Sequence, residues 1–344
     1  MEGTGEFELI ARLVESVDAA RRERSASWGT QVRVGSGDDA AVTVPQGATA
    51  TSVDSLVEGV HFRRDTATLE SVGRKALAVA LSDLAAMGAA PGEAYVQLGV
   101  PDDLDEGGCV ELGIGLAAMA AEQGVAVLGG DVTRAPSLIL AITVVGHASS
   151  PDRFVLRSGA RPGDAVAVTG ELGGAAAGLL ILERPELAEG LPDGVAEALR
   201  ARQLVPQPRL DAGRALAIAG TTAMIDISDG LGGDAGHLAD ASGVRLVIEL
   251  ERLPVQQGVA EVAAAASTDV HELATGRGED YELLLALPPE LLDEARQALA
   301  GARTTLTAIG AMVEGTGVAL REPDGSERRP AGFDQLRGSG RSNG

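Results

Sequence analysis

Short runs of β-forming residues alternate with stretches of helical periodicity along this chain. The strand-like runs are joined by turns rich in Gly and Pro, and the helical stretches carry their apolar residues at steps of three and four. The predicted strands are 31–34, 40–44, 49–53, 93–100, 125–128 and 138–146, and the predicted helices are 6–22, 68–87 and 107–122. This alternation favours an α/β or α+β fold.

The pattern is interrupted around residues 147–161, where Ser-Ser-Pro-Asp at 149–152 is followed by Arg-Pro-Gly-Asp at 161–164. A strand at 165–169 and helices at 172–182, 193–203 and 209–219 then resume it. With about 150 residues per domain, 344 residues predict two domains. We place an N-terminal α/β domain at 1–148 and a C-terminal α+β domain at 149–337, with a disordered Gly/Ser-rich tail at 338–344.

The charge balance excludes one class of partner. The chain has 28 Lys and Arg against 50 Asp and Glu, a net charge of −22, and Lys75 is its single lysine. A nucleic-acid binder needs a basic stripe that displaces phosphate counterions, and the 2% of aromatic residues offers no stacking platform. We therefore expect no nucleic-acid partner. We expect most of the Asp and Glu side chains to lie on an ordinary solvated surface.

The only cysteine, Cys109, excludes an intramolecular disulfide and a Cys-rich zinc site, so any metal would have oxygen ligands. Residues 1–6 are acidic where a signal peptide would be basic, and no apolar run approaches the roughly 20 residues of a membrane span. We expect a cytoplasmic protein with no membrane partner.

The Gly-rich stretches are not nucleotide loops of the common kinds. A P-loop needs Gly-Lys before Ser or Thr, which Lys75 does not provide. Residues 35–40 match the dinucleotide pattern G-x-G-x-x-A, but Asp38 and Asp39 occupy the turn where a pyrophosphate would sit. Divalent cations between the carboxylates and a phosphate would make the contact attractive. The loop therefore predicts a metal site, with an ordinary Asx turn as the alternative.

Acidic residues recur at predicted strand ends, in Gly-rich turns and on the inward face of the 68–87 helix. Taken singly, each has a plain structural alternative: a turn former, a hydrogen-bonded core Asp, or a helix N-cap. Together they predict a hard-cation site of the Mg²⁺ type for a phosphorylated substrate, with Arg157 able to grip phosphate oxygens. The positions are Asp39, Asp54, Asp83, Asp131, Asp226 and Asp229.

Six segments in this order resemble the thiamine-monophosphate kinase family, whose superfamily includes aminoimidazole ribonucleotide synthetase and selenophosphate synthetase. The resemblance covers nearly the whole chain, with 5–10 and 332–334 also fitting. Glu-Gly-Val-His-Phe at 58–62 and Gly-Glu-Asp-Tyr-Glu-Leu at 278–283 point to this family rather than its relatives. The six segments are 35–42, 52–62, 81–89, 129–134, 226–231 and 278–283.

The resemblance implies ATP-dependent phosphorylation of thiamine phosphate to thiamine diphosphate by Mg²⁺-assisted in-line transfer. The acceptor phosphate oxygen is already ionised near neutral pH, so no dedicated general base is expected. The implied fold is an N-terminal α/β domain that dimerises through its strands, making a homodimer, followed by an α+β domain.

The resemblance also assigns residues to roles. The matched Mg²⁺ ligands are Asp39, Ser52, Asp54, Asp83, Asp131, Asp226 and Asp229, with Val53 as a backbone ligand. The matched ATP contacts are Gly130, Asp131, Arg157 and Ser228, and the matched substrate positions are His61, Glu279 and Phe333. Glu279 would face the cationic side of thiamine, and Phe333 would pack on one of its rings. A satisfied structural histidine is the alternative for His61.

Three departures from the family pattern bear on these roles. Val53 stands where the family often has Thr, so that only its backbone can ligate. Arg277 replaces a Gly before Gly-Glu-Asp, and Glu122 and Gln123 stand where a Tyr often contacts the nucleotide.

Two other functions remain open at this point. One is another ATP-dependent enzyme of the superfamily with a different acceptor. The other is an acidic Ca²⁺- or Mg²⁺-binding protein without enzymatic activity, although the chain lacks an EF-hand loop.

Overall fold

The computed structural model describes Arg12, residues 30–36 and residues 40–330. It divides into an N-terminal unit, which ends at Phe154, and a C-terminal unit, which starts at Val155 and also takes in Ala86–Gly88. The predicted helix at 6–22 lies almost entirely outside the described residues, as do Asp38, Asp39, Phe333 and the predicted tail. Within the described residues, no helix is long and apolar enough to span a membrane.

The N-terminal unit contains a hairpin and a four-stranded sheet. The hairpin pairs β1 (Thr30–Val34) with β2 (Val42–Pro45). The sheet has the order β3-β6-β4-β5 and is antiparallel except for the parallel pair β4 and β5. Its strands are β3 (Ala48–Val57), β4 (Ala90–Val100), β5 (Ala126–Arg134) and β6 (Ile139–Ala148).

Two helices of 18 residues accompany this sheet, α1 (Leu69–Ala86) and α2 (Glu106–Gln123). Both were predicted from apolar periodicity, and the apolar stripe of α1 is buried at Ala76, Ala80 and Leu84. Asp105 caps the start of α2 by accepting a hydrogen bond from Gly108 N at 2.9 Å. Such a cap satisfies one of the free N–H groups in the first turn of a helix.

The C-terminal unit is built on a seven-stranded sheet of order β13-β12-β9-β11-β7-β10-β8, antiparallel except for β12 and β9. The strands are β7 (Ala165–Thr169), β8 (Ala223–Asp226), β9 (Arg245–Glu249), β10 (Leu283–Leu287), β11 (Leu306–Val313), β12 (Gly317–Arg321) and β13 (Glu327–Arg328).

Its helices are α3 (Gly174–Glu183), α4 (Val195–Leu204), α5 (Leu210–Ile218), α6 (Leu231–Ser242), α7 (Val259–Ala266), α8 (Val270–Gly276) and α9 (Leu292–Ala298). One buried cluster joins the sheet to α6, through residues such as Val168, Ile225 and Leu238. A second joins α3, α4, α7 and α8. The predicted mixture of α/β and α+β organisation is thus confirmed.

Two strands extend past the acidic residues that the sequence placed at their ends. β3 continues past residue 53 because all ten of its residues pair with β6, so Asp54 lies inside the strand rather than at its end. β5 continues through its two glycines to Arg134 because it keeps pairing with β4. Asp131 therefore also lies within a strand. In both places, cross-strand hydrogen bonds outweigh the local turn preference of Asp and Gly.

Candidate active site

The N-terminal unit brings Ser52 and Asp83 into direct contact. Ser52 lies on β3 and its hydroxyl donates a hydrogen bond to the carboxylate of Asp83, which is half-buried on α1. Because side chains alternate along a strand, Asp54 lies on the same face as Ser52, two residues further along. Three of the predicted metal ligands therefore belong to the side of the sheet that faces α1.

Val53 lies between them and points to the other face, where its side chain is 65% exposed. It would contribute only backbone atoms to a metal site, as its side chain has no ligand atom.

Asp131 and Gly130 lie on β5, at the other edge of the same sheet. Asp131 on β5 is paired with Gln97 on β4, Gln97 with Ala141 on β6, and Ala141 with Ser55 on β3. Paired residues point to the same face of a sheet, and Ser55 points away from the face of Ser52 and Asp54. Asp131 therefore lies on the opposite face from Ser52 and Asp54. Two strands separate β3 from β5, so Asp54 and Asp131 are about 14 Å apart at about 4.8 Å per strand. Within one chain, the two carboxylates cannot share one ion.

The turn after β3 orients His61. The backbone N–H of Val57 donates a hydrogen bond to Nδ1 of His61 at 3.0 Å, and the N–H of His61 donates to the Val57 carbonyl at 2.9 Å. A nitrogen that accepts a hydrogen bond carries no proton, so this pattern assigns the proton of the neutral ring to Nε2. Nε2–H is then the donor that His61 offers to a ligand.

Two loops of the C-terminal unit are hydrogen-bonded to each other, although some fifty residues separate them in sequence. Glu279 N donates to Ser228 O at 2.8 Å, and Tyr281 N donates to Ile227 O at 2.9 Å. Gly278 makes this approach possible, because a Cβ there would lie 2.1 Å from Ser228 O. The structure thus brings together the segments 226–230 and 278–282, which hold a predicted nucleotide contact and a predicted substrate contact.

Asp226, Asp229 and Asp234 form a group of acidic residues beside this junction. Asp234 is buried on α6 and accepts hydrogen bonds from the N–H groups of Ser228 and Asp229, both at 3.0 Å. Burial and the negative charges of Asp226 and Asp229 raise the pKa of Asp234 to about 8, despite those two hydrogen bonds. The side chains of all three offer oxygen atoms, the ligand type that hard cations prefer.

Glu279 is held from two sides. Its backbone N–H is bonded to Ser228, and its carboxylate accepts a hydrogen bond from the side-chain amide of Gln203 on α4. Glu279 and Tyr281 have φ values of 62° and 50°, in the left-handed region that non-Gly residues rarely adopt. Such conformations persist only where the surroundings hold them, and they concentrate at functional sites.

The other two acids of this segment are anchored in the interior. Asp280 accepts hydrogen bonds from Gly173 N at 2.8 Å and Ala175 N at 3.2 Å, at the start of α3. Burial raises the pKa of Asp280 to about 6, while Arg202 and these backbone donors act against the rise. Glu282 is fully buried and accepts hydrogen bonds from Thr169 Oγ1 and Arg209.

Several predicted residues stand apart from these contacts. Arg157 is exposed, and its carbonyl accepts a hydrogen bond from Ser242 Oγ at 3.0 Å. Arg277 is exposed beside Gly278. Glu122 forms an ion pair with Arg74 at 2.5 Å. Asp39 and Phe333 lie outside the described residues.

Within the described ranges, no three His, Cys, Asp or Glu side chains are grouped closely enough to hold a metal ion. Mg²⁺ usually takes only one or two carboxylates from the protein and fills its shell with waters and substrate phosphates. Small sets such as Ser52 with Asp83 suit that mode of binding.

Comparison with known proteins shows which family this chain belongs to. Its residues 37–148 match the AIR synthase related protein, N-terminal domain, and residues 161–322 match the C-terminal domain. It is 38% identical over 286 residues to the thiamine-monophosphate kinase of Mycobacterium tuberculosis, which covers 83% of this chain and 81% of that protein. The chain belongs to the thiamine-monophosphate kinase family.

Solved structures agree with this family membership. The thiamine-monophosphate kinase from Stenotrophomonas maltophilia superposes with a TM-score of 0.81 at 33% identity, covering 92% of this chain and 97% of that one. AaThiL complexed with AMPPCP and TMP superposes with a TM-score of 0.72 at 31% identity, covering 95% and 96%. The resemblance inferred from the six sequence segments is confirmed.

The sequence reasoning missed four residues that support these family motifs: Arg202, Gln203, Arg209 and Asp234. Arg202 and Gln203 lie on α4, and Arg209 directly precedes α5. Arg and Gln are ordinary surface residues at such positions, and nothing local marked these three as buried partners. Asp234 gave a faint signal, since an acidic residue in the first turn can accept hydrogen bonds from backbone N–H groups before a helix.

Proposed function

We propose that this chain transfers the γ-phosphoryl group of ATP to the phosphate of thiamine phosphate, giving thiamine diphosphate and ADP. The observation that carries this is its membership of the thiamine-monophosphate kinase family over most of its length. A related structure holds AMPPCP and TMP together. The hydrogen bond between the loops 226–230 and 278–282 brings Ser228, which we propose to contact ATP, next to Glu279, which we propose to contact thiamine phosphate.

In this reaction an oxygen of the acceptor phosphate forms a bond to the γ-phosphorus, and the bond from that phosphorus to the β,γ-bridging oxygen breaks. The electron pair leaves with ADP. The attacking oxygen is ionised near neutral pH, so no side chain has to remove a proton. The tasks left to the protein are to align the two phosphates and to balance their charge.

Mg²⁺ would supply charge neutralisation between the two anionic substrates when bound. We propose as ligands Asp39, Ser52, Asp54, Asp83 and Asp131, the backbone of Val53, and Asp226 and Asp229 of the C-terminal unit. The Ser52–Asp83 contact and the charge cluster around Asp234 support this assignment. Because Asp54 and Asp131 are too far apart to share an ion, we propose more than one metal position.

For the organic parts of the substrates, we propose that Gly130, Asp131, Arg157 and Ser228 contact ATP. His61, Glu279 and Phe333 would contact thiamine phosphate. His61 would donate a hydrogen bond from Nε2, and Glu279 would offer its carboxylate to the cationic thiazolium ring. An aromatic ring at Phe333 would pack on a substrate ring.

We also propose a homodimer formed through the strands of the N-terminal unit. Val42, Val44 and Val53 lie on strands and are 48%, 45% and 65% exposed. Exposed β-branched residues on strands suit a sheet that packs against a second copy. Light scattering coupled to gel filtration would give twice the monomer mass, and a monomer at micromolar concentration would contradict this.

The activity is tested by measuring thiamine diphosphate formed from ATP and thiamine phosphate, with Mg²⁺ and with EDTA. We expect product only with Mg²⁺. ATP consumption that requires a different acceptor would indicate another enzyme of the superfamily. Absence of any ATP turnover, in protein that binds Mg²⁺, would indicate a metal-binding protein instead.

A further inference from the structure

Two consecutive residues of α4 bind the segment that carries Glu279. Arg202 donates hydrogen bonds to the carbonyls of Asp280 at 3.0 Å and Glu171 at 3.2 Å, and it forms an ion pair with Glu282 at 3.1 Å. Gln203, the next residue, donates a hydrogen bond from its side-chain amide to the carboxylate of Glu279. The end of α4 is thus a support for residues 279–282.

Gln203 is buried, with 5% of its surface exposed, whereas Glu279 is half-buried. A buried amide is confined to few rotamers, so it fixes the carboxylate it touches. Glu279 also has a left-handed backbone whose N–H is bonded to Ser228. Backbone and side chain of Glu279 are therefore set by separate partners, Ser228 for one and Gln203 for the other.

The chemistry of the partner differs between Glu279 and Glu282. Arg202 and Arg209 meet Glu282 with positive charge. Gln203 meets Glu279 with a neutral donor, which orients the carboxylate without bringing a positive charge to it. A neutral donor of this kind suits a carboxylate that has to attract a cationic ligand.

We propose that Gln203 is a positioning residue for thiamine phosphate, acting through Glu279. The proposal rests on the proposed function, in which Glu279 faces the cationic ring of the substrate. Gln203 itself need not touch the substrate. Its effect should therefore appear in the KM for thiamine phosphate, far more than in the KM for ATP or in kcat.

The test compares Gln203→Met, which keeps the side-chain length and removes the donor, with Gln207→Met as a control. Gln207 is exposed three residues after the end of α4, and its side-chain amide makes a long contact of 3.5 Å with Val205 O. We expect Gln203→Met to raise the KM for thiamine phosphate about 10-fold, the usual effect of one hydrogen bond to a charged group. The KM for ATP should change less than about 2-fold, and Gln207→Met should match the wild type.

A double-mutant cycle shows whether the effect passes through Glu279. In a Glu279→Gln background, Gln203→Met should add less than about 2-fold to the KM for thiamine phosphate. An equal effect in both backgrounds, an unchanged KM, or a parallel rise in the KM for both substrates would overturn the proposal. Should Gln203→Met fail to fold, Gln203→Glu keeps the shape and places a like charge against Glu279, with an even larger rise in KM expected.

Failure of this inference is distinct from failure of the proposed function. If wild-type protein forms no thiamine diphosphate, the activity itself is wrong. If the wild type is active and Gln203→Met behaves like Gln207→Met, only the positioning role is wrong. Thermal shift with added thiamine phosphate gives a second readout without turnover: the stabilisation seen in the wild type should shrink in Gln203→Met and persist in Gln207→Met.

Discussion

Arg209 donates two hydrogen bonds to the carboxylate of Glu282, from Nε to Oε2 at 2.8 Å and from Nη2 to Oε1 at 2.5 Å. The Glu282 side chain is fully buried, and Thr169 donates to it at 2.7 Å. Glu282 lies three residues after Glu279, in the segment 278–282. A two-point contact of this kind fixes both distance and orientation.

Removing Arg209 should destabilise the C-terminal unit. Arg209→Met leaves the buried carboxylate of Glu282 with part of its charge uncompensated, and such a loss costs about 3 kcal/mol. Urea denaturation of the variant measures it. The double variant Arg209→Met with Glu282→Met should lose less than the sum of the single changes. A loss below about 1 kcal/mol for Arg209→Met would show that the pair contributes little.

Gly170 faces the same carboxylate. It has a φ of +58°, and a Cβ there would lie 2.2 Å from Glu282 Oε1. Gly243 has a similar φ of +66° with nothing within 4 Å of its Cβ position. Replacing either glycine by Ala costs about 1–2 kcal/mol, because a residue with a Cβ is strained in the left-handed region. Only Gly170→Ala also displaces Glu282, so it should be destabilising by at least about 1 kcal/mol more. Equal losses in urea denaturation would contradict the close approach.

Asp234 makes stability depend on pH. Its pKa is raised from 3.8 to about 8, chiefly by burial, so between these values the folded protein keeps a proton that the unfolded chain has released. The free energy of unfolding should therefore fall as pH rises from about 4 to 8, by up to about 1.4 kcal/mol per pH unit for this group.

Asp234→Asn keeps acceptors for the N–H groups of Ser228 and Asp229 and cannot ionise. Urea denaturation at several pH values in EDTA should give a flatter profile for this variant, and the difference from the wild type isolates the group. Parallel profiles would rule out a protonated Asp234.

The proposed metal ligands should be needed for turnover but not for folding. Asp83→Asn, Asp131→Asn and Asp226→Asn keep the shape of the side chain and remove its charge. We expect each to lower thiamine diphosphate formation by about 100-fold and to raise the Mg²⁺ requirement, with the circular dichroism spectrum of the folded protein retained. Asp240→Asn, on the exposed face of α6, is the control. Wild-type rates in the three variants would rule out the assignment.

Cys109 should be inert in the folded protein. It is fully buried on α2, and burial, helped by the charges of Asp105 and Glu106, raises the pKa of its thiol to about 11. A pKa about two units higher lowers the thiolate fraction at pH 8 by about 100-fold. A thiol reagent should label the native protein at least that much more slowly than the protein in urea. Rapid native labelling would show that α2 opens readily.

The positions of the first two described helices and the family of the protein could be predicted from the sequence. The helices at 68–87 and 107–122 agree with α1 and α2 to within a residue, because an apolar stripe at helical spacing is a local property. The segments 226–231 and 278–283 were also identifiable, since they depend on residue types in a fixed order. Strand lengths were less accessible: β3 and β5 extend past Asp54 and Asp131 only because neighbouring strands pair with them.

The amino-acid sequence by itself determined which side chains carry the chemistry, since carboxylates, His61 and the Gly-rich turns are recognisable wherever they lie. Only the tertiary structure decided which of them meet. Asp226 pairs with Leu283 because β8 and β10 are neighbours in the sheet, and this pairing brings Ser228 against Glu279. Gln203 and Arg209 reach that loop from α4 and the segment after it. Such contacts depend on long-range packing, which local patterns do not encode.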